Sequence, residues 1–91
     1  MKNLNKALLL TRLAITYQQQ GCGDAFVNYY GHVFQICINL HDGPWDKNKD
    51  FTRLEIYLNG VLYDEAKYNK ALNFLTECIE QKKLLNYENN N

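Results

Sequence analysis

The side chains best suited to nucleophilic or metal chemistry in this chain are three cysteines, Cys22, Cys37 and Cys78, and two histidines, His32 and His41. Cys22 sits between Gly21 and Gly23, a setting that would expose its thiol. His32 or His41 could serve as its base, with Asp24 or Asp42 orienting the imidazole. Nothing in the spacing ties these residues together, so a small cysteine-dependent enzyme is the weakest of the readings the sequence allows. The same five side chains lack the short Cys-x2-Cys or His-x3-His spacing of a closed zinc site. From Asp46 to Asp50, oxygen-bearing side chains alternate as at the start of a calcium loop. Phe51 then stands where that loop needs glycine, and Tyr57 where it needs a bidentate Glu. Gly21-x-Gly23 follows a helical pattern instead of joining a strand to a helix, so it is no dinucleotide cradle. The carboxylates are scattered and do not pair across a cleft. The expectation is a protein without catalytic residues, cofactor or metal.

Recognition chemistry is better represented. The stretch from His41 to Phe51 combines turn formers with Trp45 and Phe51. Loops carry recognition more often than frameworks, and a Trp is a good anchor when a partner buries it. A simpler reading has Trp45 and Phe51 folding back over the end of the core. The candidate protein-binding residues are Tyr29, Trp45, Asp46, Phe51 and Tyr57. Lys47, Lys49 and Arg53, beside aromatics, offer nucleic-acid contact as the alternative. Ten basic and ten acidic residues give zero formal net charge, without the basic cluster that phosphate binding requires.

These residues must be held by ordinary elements. Residues 3–19 read as a helix whose apolar side runs through Leu4, Ala7, Leu10, Leu13, Ala14 and Tyr17, with Leu8 and Ile15 widening it. Gly21 suits the left-handed cap that ends it. Residues 25–30 and 32–40 read as strands. In the second, Phe34, Ile36, Ile38 and Leu40 share one face, and Val33, Gln35, Cys37 and Asn39 the other. Residues 53–58 alternate in the same way. Asn59-Gly60 favours a tight hairpin into a return strand, Val61-Leu62-Tyr63. Asp64 can cap a helix over 65–84, with Tyr68, Ala71, Leu72, Leu75, Cys78 and Ile79 on its apolar face. Residues 86–91 read as a frayed polar tail. The expected fold class is α+β: an antiparallel sheet of three to four strands flanked by an N-terminal and a C-terminal helix, in the order α-β-β-β-β-α.

The 91 residues suffice for one small domain, expected to span 1–91. The N-terminal apolar run is cut short by Arg12, which argues against a signal peptide or membrane span. Unpaired cysteine spacing fits a reducing, cytoplasmic setting. Small size, neutral charge and many aromatics suit a non-enzymatic stoichiometric inhibitor or adaptor that occludes a larger host protein. Accessory proteins of phages and mobile elements offer an analogy in size and composition only. Surplus apolar surface also suggests a homodimer, with Leu9, Val33 and Leu62 as candidate contacts.

Overall fold

The computed structural model describes residues 3–43, 46–58 and 62–89. In chain order the elements are α1 (Leu4–Gln19), β1 (Ala25–Tyr30), β2 (Gln35–Leu40), β3 (Thr52–Tyr57) and α2 (Glu65–Asn89). The strands form one antiparallel sheet in the order β1-β2-β3, so β2 is central and the other two are edges. The expected class, an antiparallel sheet flanked by two helices, is the class observed.

The core lies on one side of the sheet. Ile36, Ile38 and Leu40 from β2 and Ile56 from β3, with Leu58, meet Ala7, Leu10, Ala14 and Tyr17 of α1 and Tyr68, Ala71, Leu75 and Ile79 of α2. Both helices contribute the apolar stripes that their 3.6-residue periodicity specifies. Helix α1 ends in two bonds, Gly21 N–H to Gln18 C=O and Cys22 N–H to Tyr17 C=O, with Gly21 at φ +82°. This is the glycine cap that the sequence called for. Helix α2 opens on Asp64, whose Oδ1 accepts the N–H groups of Ala66 and Lys67 at 3.0 and 3.3 Å.

Several expectations need correction. The second strand begins at Gln35, not 32, because residues 31–34 form the turn that follows β1. Phe34 sits in that turn at φ +52°, a left-handed conformation unusual for an aromatic residue, and its side chain is exposed. It therefore leaves the core face that alternation assigned to it, while its carbonyl accepts Leu58 N–H at 2.7 Å. Val33 lies in the same turn and not on the outer strand face. Of the expected return strand, Leu62 lies in a short helical turn and Tyr63 in no strand; Asn59, Gly60 and Val61 are outside the described residues. Leu4, expected on the apolar side of α1, is exposed. Helix α2 passes residue 84, so residues 86–89 of the expected tail are helical, with 90–91 outside the described residues.

Candidate functional site

Both helices pack on one side of the sheet, and among the described residues no helix or strand covers the other, the bare face. Register places Phe26, Asn28 and Tyr30 of β1 opposite Asn39, Cys37 and Gln35 of β2. Those in turn face Arg53, Glu55 and Tyr57 of β3. The bare face is thus three cross-strand rows, with aromatics at three corners, Arg53 at the fourth, and the amides of Asn28, Gln35 and Asn39 between them. Its one guanidinium, Arg53, is bonded through Nε to Glu55 Oε1, which neutralises it locally. Cys37 stands at the centre yet is 1% exposed. Burial pushes its thiol pKa up, and its Sγ donates weakly to Asn39 Oδ1 at 3.8 Å.

At one end of this face, His41 continues the outward parity of β2. Its ring lies 5.5 Å edge-on from Phe26 and 5.0 Å from Phe51, and it is 6% exposed. Its Nδ1 is buried without a hydrogen-bond partner among the described residues. The backbone below it is tightly joined. His41 N–H donates to Asp24 C=O at 2.9 Å, Asp24 N–H to Gly43 C=O at 3.1 Å, and Gly43 N–H to Cys22 C=O at 3.2 Å. Gly23 passes so close that a Cβ there would lie 1.7 Å from the His41 carbonyl oxygen. That carbonyl also accepts the Tyr17 hydroxyl at 2.9 Å. Desolvation pushes the Tyr17 pKa up to about 12.

On the helix side of the same joint is a cavity of 670 Å³, with Tyr17, Cys22, Asp42, Phe51, Cys78 and Lys82 among its lining. Cys22 Sγ points across it to the Cys78 carbonyl at 3.6 Å. Burial raises both thiols, opposite to the shift that a cysteine nucleophile needs. His32 belongs to the turn between β1 and β2, at the other end of the strands from Cys22, and the His41 ring is held by Phe26 and Phe51 on the bare face. The cysteine–histidine set weighed from sequence is not brought together. Among the described residues, no group of three Cys, His, Asp or Glu side chains forms a metal cluster.

The candidate binding residues fall in different places. Tyr57 is on the bare face, and Phe51 adjoins it through His41. Asp46 is spent within its loop: its Oδ1 accepts Asn48 N–H at 2.9 Å, and its carbonyl accepts Lys49 N–H at 3.1 Å. Tyr29 shares the helix-side parity of Ile36, but on the sheet edge it remains 51% exposed. Trp45 lies outside the described residues. Sequence reasoning did not place Phe26, Tyr30 or His41 on this face. The period-two pattern of β2 could have placed His41 on the Cys37 face; nothing in Ala25–Tyr30 alone says which aromatic faces which side. The candidate dimer contacts Leu9, Val33 and Leu62 are all exposed, but lie on α1, in the first hairpin turn and before α2.

No protein-family model, curated protein or solved structure matches this chain. Among the described residues, no helix is long and apolar enough to cross a membrane.

Proposed function

We propose that this protein is a non-enzymatic binding module that presses the bare face of its sheet against a larger host protein, as a stoichiometric inhibitor or adaptor. The observation that carries this reading is the one-sided packing of the helices. It leaves a flat, neutral sheet face bordered by Phe26, Tyr30 and Tyr57, with Phe51 at its end. Aromatics around a face poor in net charge are the composition of a protein interface core. An open sheet with aromatics can also stack nucleobases, but the one cation in its three rows is already paired with Glu55. The three free cysteines suit a reducing, cytoplasmic site of action.

The test is capture of the partner from the native cell by wild-type protein and by a Phe51→Ala, Tyr57→Ala double variant. We expect the variant to fold normally by circular dichroism and to retain at least about tenfold less partner, as loss of interface anchors does. A variant that folds and captures the same partner equally well removes the bare face from consideration. Retention that depends on nucleic acid and falls steeply with salt would instead favour the nucleic-acid reading.

A further inference from the structure

The two edges of the sheet differ, and one of them is unprotected. Strand β1, Ala25-Phe26-Val27-Asn28-Tyr29-Tyr30, carries no charge and no proline, and every residue after Ala25 is exposed. Edge strands of this kind are templates for pairing with another chain. The direction of its backbone groups follows from the joint at its start. His41 N–H bonds Asp24 C=O, and antiparallel alternation then turns the backbone groups of Phe26, Asn28 and Tyr30 toward β2. Those of Ala25, Val27 and Tyr29 point outward. Ala25 N–H is taken by Gln18 Oε1 at 3.0 Å. Beyond the Ala25 carbonyl, this leaves both backbone groups of Val27 and of Tyr29 on the open edge.

Helix α1 extends the same surface. At about 100° per residue, Leu4, Leu8 and Ile15 fall within about 40° of one another and beside Gln18. Gln18 reaches β1, whereas Lys6, on the other side of the helix, bonds Tyr63 and Glu65 near α2. All three apolar side chains are exposed. They form a row on the side of α1 that carries Gln18, which reaches the start of β1 at Ala25.

We infer that a second copy of this chain pairs with β1, antiparallel and about a two-fold axis at Asn28, to make a continuous six-stranded sheet. In that register Val27 of one chain lies opposite Tyr29 of the other, and the four outward backbone groups of each chain find partners. Phe26 then meets the second copy's Tyr30 on the bare face, and the two Asn28 amides meet at the axis. The α1 rows face each other on the helix side. No charges oppose along the paired strands, because β1 carries none. The three aromatics of β1 alone present on the order of 250 Å². With the aliphatic row and the strand backbone, the surface approaches the ~800 Å² per partner of an ordinary stable interface. Self-pairing uses the sheet edge, and host-protein binding uses the face around Tyr57, so the two readings fail separately.

Light scattering across a dilution from roughly 100 to 1 μM should give twice the 10.7 kDa chain mass at the upper end. Val27→Pro removes an outward N–H that the monomer does not use, a substitution that edge strands accept. We expect it to halve the mass and leave the circular dichroism spectrum unchanged. A wild-type chain that stays monomeric throughout, or a folded Val27→Pro protein that still dimerises, overturns the inference. Should the proline variant not fold, Asn28→Cys in a background with Cys22, Cys37 and Cys78 replaced by Ala decides. Directly opposed residues at such a position have Cα atoms about 4.5 Å apart, within disulfide reach. Mild oxidation then yields a covalent dimer; its absence overturns the register.

Discussion

Strands β1 and β3 have equal length, both pair with β2, and both are edges, yet only β3 is guarded. Its open side meets a groove of 440 Å³ against α2, where Arg53, Glu55, Lys67 and Lys70 gather. Its inward residues are well used: Ile56 is 3% exposed. On β1 the inward Val27 is 36% exposed, and no charged side chain interrupts the strand. One edge is finished by its own chain. The other is left with the chemistry of an unfinished core. Strand propensity does not separate the two, since both are rich in residues that favour a pleated surface. The separation comes from which helix lies where, and from charge.

The largest expected effect tests that difference in packing. Ile56→Ala should cost about 2–4 kcal/mol, because it empties a filled position between β3 and the helices. In the isolated chain, Val27→Ala should cost less than about 1 kcal/mol, since little of Val27 is buried. Urea unfolding at a concentration that keeps the protein monomeric measures both. Equal losses would erase the distinction between the edges.

The next effect concerns the joint from which β1 departs. Tyr17 is pushed up to about 12 from an ordinary 10.0 by burial, and its hydroxyl holds the His41 carbonyl. The folded state thus resists ionising this group. Its contribution is complete below about pH 10 and is lost as pH rises toward 12, on the order of 2 kcal/mol in all. The three thiols, raised by partial or full burial, lower stability in the same direction from about pH 9 upward. The difference between wild type and Tyr17→Phe in urea midpoint across this range isolates the tyrosine. Parallel curves for the two proteins would show that Tyr17 is not the group responsible.

The smallest effect belongs to the guard on β3. The Arg53–Glu55 pair is exposed on both sides, so Arg53→Ala should change stability by less than about 1 kcal/mol, and by less still in high salt. Unfolding at low and high ionic strength measures it. A larger, salt-insensitive loss would mean that Arg53 acts by covering Cys37 and not by charge.

Much of the frame was legible in the sequence because local rules and tertiary packing agree there. Asp64 caps α2, Gly21 ends α1, and the alternation around Ile36 and Ile38 marks the core face. Where they diverge, the sequence is silent. Val33 and Phe34 continue the alternation of β2 perfectly well, and only the hairpin geometry removes them from it. Tyr29 and Tyr30 are adjacent and chemically alike, so their assignment to opposite sides of the sheet depends on register with Ile36 and Gln35. Cys37 has outward parity but is hidden, and alternation within one strand carries no sign of that. The candidate site was the least legible part: its corners come from the two edge strands, and strand order was open until pairing was known.

Position 23 carries a consequence for inheritance. Every amino acid other than glycine brings a Cβ, and at this position that atom collides with the His41 carbonyl oxygen. Accommodating it would part the crossing of Gly23 and Gly43 and tilt His41, which steadies both Phe26 and Phe51. A missense change at codon 23 would therefore reach the bare face without altering any residue on it. Descendants of this gene can vary exposed side chains such as Tyr29 or Phe51 without meeting that collision. At codon 23 they have no such freedom while the joint keeps this shape.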